Sequence, residues 1–226
     1  AELEVRELKL EMRRLESSMV EEAAQLAAAA FLSSPFYRWI FSEKQSEQIA
    51  FCLQWLFERN FVAYVEQGAG VCTFCGGEMV SFFVLLEGDS SSLSLWDMIR
   101  LGLYSMPFNV GFGPTMKMLR VKGWVEDRLE KTMQDHGIKK ETWSLQRVVV
   151  KPGWQGKGLG SACLSHMLNT AGPSEHGVIL TTQEEPNVRF YERLGFETID
   201  DAVFEYEGGV DAIVDHVEAT ASVVGG

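Results

Sequence analysis

Apolar residues recur at helical spacing over residues 18–32 (SMVEEAAQLAAAAFL), where strong helix formers follow a serine and two acids. Ser33-Ser34-Pro35 ends that run. A second helix is expected over residues 46–61. The first residues fit two patterns. Leu3, Val5, Leu8 and Leu10 alternate as in an edge strand, while Val5, Leu8, Met12, Leu15 and Met19 are spaced as on a helix face. Residues 62–75 and 79–86 read as two strands joined near Gly76-Gly77, a hairpin signal. Residues 93–131 return to helical spacing, broken at Pro107 and at Gly111-Phe112-Gly113-Pro114. Residues 143–150 read as a strand stopped by Lys151-Pro152-Gly153. A helix over 158–171, a buried strand over 178–182, a short helix over 187–194 and closing strands over 196–199 and 202–206 complete the pattern.

No internal repeat or low-complexity linker interrupts this order. It predicts one α/β (α+β) domain over residues 1–226, built on a mixed sheet with helices and a helical insertion over 93–135. At 226 residues with 14 Phe, 6 Trp and 5 Tyr, the chain has enough apolar surface for a real core and too much for a disordered state.

The net charge of −12 speaks against nucleic acid as the main partner, because phosphate backbones select basic surfaces. The longest uncharged run, 16 residues between Arg100 and Lys117, is short and rich in Gly and Pro, so no membrane span is expected. The N-terminus is charged from its second residue and reads as no secretory signal. It lacks an initiating Met, which leaves a removed targeting segment open. Four irregularly spaced cysteines make no disulfide framework and favour a reducing, cytoplasmic setting.

The stretch from Val148 to Ala162 carries the most chemistry. A strand enters a turn with Gly153, Gly156, Gly158 and Gly160 and leaves it as a helix. Glycines let a ligand approach the backbone, and the helix start offers unpaired N–H groups and a positive dipole end. That combination suits a phosphate or pyrophosphate. The nucleotide P-loop and the dinucleotide Gly-x-Gly-x-x-Gly spacings are both absent.

Gln155, Gly158 and Gly160 do fit Gln-x-x-Gly-x-Gly. Asn187-Val188-Arg189-Phe190-Tyr191-Glu192-Arg193-Leu194-Gly195-Phe196 follows after room for one helix and one strand. In that order these motifs resemble the GNAT family of N-acetyltransferases. Within it, Trp143-Ser144-Leu145, the Gln155–Ser161 loop and Phe190–Phe196 are most similar to the puromycin N-acetyltransferase-like branch.

The resemblance implies a mixed, mostly antiparallel central sheet flanked by helices, with residues 143–199 as the acetyl-CoA-binding core. It implies direct transfer of an acetyl group from acetyl-CoA, the co-substrate, to an amine, with no metal. Val148 and Val150 would lie beside the pantetheine arm, with the Val149 side chain on the opposite face. The backbone of Gln155, Gly156, Lys157, Gly158, Leu159, Gly160 and Ser161 would hold the pyrophosphate, with Lys157 adding counter-charge. Tyr191 would protonate the departing thiolate. Asn187 would bond the pantetheine or the loop, or cap the short helix. A small-molecule amine is the expected acceptor. A peptide or protein amine is the alternative, as is a non-catalytic acyl-CoA-binding module.

The general base is the gap. Some family members carry a Glu where this chain has Ser144, and branch members often carry one where it has Thr181. Glu141, Glu184, Glu185 and His136 remain as candidates beside a water chain.

Cys72-Thr73-Phe74-Cys75 lacks a second cysteine pair and reads as structural, Cys52 and Cys163 read as core, and the four histidines show no ligand spacing. Trp96, Met98, Tyr104, Met106, Phe108, Phe112, Met116 and Met118 suggest that the insertion lines an apolar acceptor pocket. Residues 194–226 hold eight acids and no Lys or Arg, so 208–226 reads as an acidic tail that either draws a cationic amine or only solubilises.

Overall fold

A computed structural model describes residues 2–5, 8–88, 95–170, 177–205 and 216–224. Strands β1 (Glu2–Val5) and β2 (Leu8–Arg14) form a hairpin, which resolves the ambiguous N-terminus as strand. Helices α1 (Val20–Phe31), α2 (Pro35–Ile40) and α3 (Ser46–Gln67) follow, then β3 (Gly70–Cys75) and β4 (Glu78–Leu86). The insertion supplies α4 (Leu95–Arg100), α5 (Met106–Asn109) and α6 (Phe112–Asp135). The remainder is β5 (Trp143–Val150), α7 (Leu159–Thr170), β6 (Val178–Thr182), α8 (Glu185–Glu192), β7 (Glu197–Glu205) and β8 (His216–Val224).

The strands form one sheet in the order β1-β2-β3-β4-β5-β6-β8-β7. Among the described residues, β5 and β6 are the parallel pair and all other neighbours run antiparallel. The sheet separates two cores. Alanines 23, 24 and 27 are fully buried and let α1 lie close to its neighbours, with Phe57, Phe61 and Phe82 behind them. On the other face, Leu159 and Leu164 of α7 pack with Val178, Leu180, Tyr191 and Phe196. From Phe82 onward β4 serves both layers: Phe82, Val84 and Leu86 face α1–α3, and Phe83 and Leu85 face α7–α8.

Three segments depart from the sequence pattern. Residues 62–67 are helical, not strand, because Phe57, Phe61 and Tyr64 continue one buried face of α3 until Gly68 (φ 64°) caps it. The two expected closing strands are one strand, β7, with a register shift between Thr198 and Asp200. At that shift Asp200 accepts from Arg128 at 2.6 and 2.7 Å and from Thr132 at 3.1 Å, which ties β7 to α6. Finally, residues 216–224 of the presumed tail form β8, seated between β6 and β7. The rest of the tail, 208–215 and 225–226, lies outside the described residues.

Candidate active site

Strand β5 pairs with β6 only over Trp143–Leu145 against Val178–Leu180. Beyond Leu145 the two strands part and leave a wedge open toward their carboxyl ends, the usual place for a ligand in such a sheet. The glycine loop and the β6–α8 turn both start from that end.

On its other side β5 is bulged. Gln146 pairs with Val84 and Val149 with Phe82, so Arg147 and Val148 stand against Phe83 alone. Arg147 takes φ 51° and is the one non-glycine residue with a positive φ among the described residues. The extra residue puts two consecutive side chains on the α1–α3 face. The Tyr64 hydroxyl donates to Gln146 Oε1 at 3.3 Å, and Arg147 Nη1 donates to Tyr37 Oη at 3.3 Å. Alternation then resumes: Val149 enters the α1–α3 core, while Val148 and Val150 pack toward α7. Their facing agrees with the sequence expectation.

The loop after β5 is a backbone cradle. Gly153, Gly156 and Gly158 hold φ of 85°, 73° and 81°, which other residues adopt only under strain. A Cβ at Gly156 or Gly158 would meet nothing within 4 Å, so the space around them is open to a ligand. Gly160 is a glycine for another reason: its Cβ would lie 3.2 Å from Val150 Cγ2 and 3.6 Å from Phe190 Cζ. It lets α7 seat on β5 and α8. Leu159 is buried and pins the helix start. The first N–H groups of α7 have no intrahelical acceptor and carry the positive end of its dipole. Residues 150–161 contain no acid. The cradle therefore fits the pyrophosphate of an acyl-CoA. Gln155 plays a different part, since its Nε2 donates to Val150 O at 3.2 Å and ties the loop to the strand end. Lys157 Nζ stands 5.3 Å from the Trp154 ring centroid, and Ser161 is half-buried in the first turn of α7.

Tyr191 lies on α8 in the core that Val148 and Val150 pack against, with edge contacts to Phe190 and Phe196 at 5.1 and 5.7 Å. Burial pushes its phenol well above the usual range, so it keeps its proton at neutral pH. Asn187 is exposed inside α8, and the cap position belongs to Glu184, so Asn187 is not the helix cap.

The base candidates separate clearly. Glu185 pairs with Arg189 on the outside of α8, and Glu141 is exposed before β5. His136 Nδ1 bonds Thr132 O at the end of α6. Glu184 alone of the four is tied to the α1–α2 turn, accepting from Ser34 Oγ at 2.7 Å. Ser144 accepts from Gln146 Nε2 at 3.1 Å, within β5. Ser34, Tyr37 and Arg147 lie near the candidate site, and the motifs did not flag them. Arg147, a cation inside an apolar strand, was the one visible signal.

In the insertion, Met106 and Val110 are buried, whereas Tyr104, Phe108 and Phe112 stand 70%, 91% and 72% exposed. Those three aromatics do not enclose a pocket. The side chains of Trp96 and Met98 lie outside the described residues. Burial raises the Cys72 thiol to about 12, which suits a structural cysteine. Among the described residues no group of His, Cys, Asp and Glu is placed to hold a metal, and no helix is long and apolar enough to cross a membrane.

Residues 124–198 match the family model of an acetyltransferase (GNAT) domain. Over 69 residues the chain is 33% identical to histone acetyltransferase TAP1 of Glycine max, covering 30% of this chain and 29% of that protein. The match thus spans under a third of that relative's length. The fold is similar to that of a Drosophila melanogaster polyamine N-acetyltransferase, at a TM-score of 0.60 and 16% identity over 96% of this chain and 99% of that one. It is equally similar to arylalkylamine N-acetyltransferase 2 of Aedes aegypti, at a TM-score of 0.60 and 14% identity over 95% and 99%.

Proposed function

We propose, from the match of residues 124–198 to the acetyltransferase (GNAT) family model and the likeness of fold to N-acetyltransferases, that the protein transfers the acetyl group of acetyl-CoA directly to a small-molecule amine. One observation carries the reading. Strands β5 and β6 part beyond Leu145, the glycine loop and the start of α7 follow β5, and Glu184, in the turn after β6, accepts from Ser34.

The co-substrate supplies the acyl group as a thioester. The backbone of residues 155–161 holds the pyrophosphate, and Val148 and Val150 flank the arm. Glu184 takes a proton from the amine, whose nitrogen attacks the thioester carbonyl. A backbone N–H of the bulged β5 segment donates to the oxygen as it gains charge. The new C–N bond forms as the C–S bond breaks, and Tyr191 gives its phenolic proton to the leaving sulfur. Holding both reactants in one wedge supplies the alignment.

The small-molecule acceptor is supported by the polyamine and arylalkylamine enzymes, whose folds this chain matches over nearly their full length. A protein amine is supported by the short match to a histone acetyltransferase and by the likeness of fold to a solved histone acetyltransferase HPA2 and related acetyltransferase from Corynebacterium glutamicum. The Trp143–Leu145 and Phe190–Phe196 segments keep their likeness to the puromycin N-acetyltransferase-like branch. Four free cysteines favour a cytoplasmic setting.

The test is thiol release from acetyl-CoA against a panel of amines and peptides, with Tyr191→Phe alongside. Turnover that slows in the variant supports the reading. Saturable acetyl-CoA binding with no turnover on any acceptor would replace it with a non-catalytic acyl-CoA-binding module.

A further inference from the structure

Arg147 is a cation without a matching anion. The residue is half-buried, and its guanidinium lies on the α1–α3 face of the sheet. Nη1 donates to Tyr37 Oη at 3.3 Å, and the Phe57 ring centroid lies 5.6 Å from Cζ. The Nε atom is buried and has no hydrogen-bond partner among the described residues. No carboxylate of the described residues pairs with this side chain.

A guanidinium never loses its proton and offers five donors in a fixed plane. A neutral hydroxyl and an aromatic face leave it without a counter-ion, and a buried cation without one is costly. The backbone deepens the point. A regular β5 would send position 147 toward α7, and only the bulge, with its strained φ of 51°, turns the side chain to the opposite face. The strain thus serves to aim a cation. It aims it at the element that also holds Glu184: Tyr37 lies one helical turn after Ser34, so one short segment contacts a carboxylate at one end and a guanidinium at the other.

We propose that Arg147 is the specificity-determining residue of the acceptor side and receives a carboxylate carried by the acceptor. The acceptor is then an amino acid, or another amine that bears a carboxylate. This rests on the acetyl-transfer reading above. Nε is shut off from solvent, so the donors left to meet a carboxylate are those of the terminal nitrogens not spent on Tyr37, and their planar fork suits two oxygens.

Matched amines with and without the carboxylate test it: phenylalanine against phenethylamine, tryptophan against tryptamine, arginine against agmatine and lysine against cadaverine. The wild-type protein is expected to favour the carboxylate member in kcat/KM by on the order of tenfold or more. Arg147→Gln should bring that ratio toward one, and Arg147→Lys should keep part of it, since charge remains but the fork is lost. A wild-type preference for the carboxylate-free member overturns the proposal even if no variant folds. So does a ratio that Arg147→Gln leaves unchanged while both rates fall, which marks a structural role.

A second readout does not need turnover. Thermal stabilisation by N-acetyl amino acids, but not by N-acetyl amines, is expected in the wild type with CoA present and is expected to vanish in Arg147→Gln. If that stabilisation occurs without turnover on any amine, the transfer reading fails and the carboxylate site stands. If turnover occurs with no carboxylate preference and no such stabilisation, the reverse holds.

Discussion

Ser34 Oγ donates a hydrogen bond of 2.7 Å to Glu184 Oε1, joining positions 150 residues apart in the chain. The bond bridges the mouth of the wedge, from the α1–α2 turn to the N-cap of α8. It orients a half-buried carboxylate at the place where β5 and β6 have separated.

Glu184→Gln keeps an oxygen for Ser34 to donate to but removes the proton acceptor. The expected result is a fall in kcat of roughly a hundredfold, with the KM for acetyl-CoA little changed. Steady-state kinetics with a saturating acceptor checks it. An unchanged kcat would move proton removal to water.

Tyr191→Phe preserves the ring contacts with Phe190 and Phe196 and deletes only the hydroxyl. We expect kcat to fall by about tenfold to a hundredfold, with the folding transition nearly unmoved. Burial raises the phenol's pKa, so loss of its proton begins only above about pH 10, its ordinary value. A pH–rate profile should therefore show no alkaline decline due to Tyr191 below that point. Such a decline, if it were lost in the phenylalanine variant, would contradict the assignment of a buried donor.

The two glycines of the loop should fail differently. Gly158→Ala forces φ 81° on an L-residue and costs about 1–2 kcal/mol without any clash. Gly160→Ala has an ordinary φ but brings a methyl to 3.2 Å from Val150, a side chain on the proposed cofactor face. Denaturant midpoints and acetyl-CoA titrations separate the cases. In Gly160→Ala the weaker binding should exceed what the loss of stability explains. Equal effects in both variants would refute the distinction.

Asp200 provides a pH-dependent clamp between α6 and β7. Hydrogen bonds from Arg128 hold its carboxyl below the usual carboxylate range, with Thr132 adding to the effect. A depressed pKa in the folded state gives stability that is full above the unfolded value, about 4, and is lost as pH falls through the lower folded value. The arginine is 40% exposed, so solvent screening keeps the contribution near about 1 kcal/mol. Asp200→Asn should be less stable than wild type by that amount at pH 7, and the gap should close toward pH 3. A gap that persists in acid would show that packing, not charge, holds the junction.

The loop and the helix after β5 were legible in the sequence because their requirements are local. Glycine spacing fixes backbone shape, and a helix start fixes where N–H groups point. The same holds for Val148, Val149 and Val150, whose facing follows from strand alternation. Residues 62–67 misled because their local β-branched character was outweighed by the buried helical face of Phe57, Phe61 and Tyr64. The seating of β8 between β6 and β7 was illegible because it depends on pairing between distant segments.

By itself, then, the sequence determined the glycine turn and helix start that suit a phosphate and the packing of Tyr191 beside Phe190 and Phe196, all set by short-range backbone and motif constraints. Only the tertiary structure decided the acceptor side. Glu184 became distinct from Glu185 through a single long-range bond to Ser34. Arg147 reached the α1–α3 face through one extra residue in β5, a bulge defined by its register with β4. Neither relationship has a local signature, because each depends on which distant strand or turn lies across the gap.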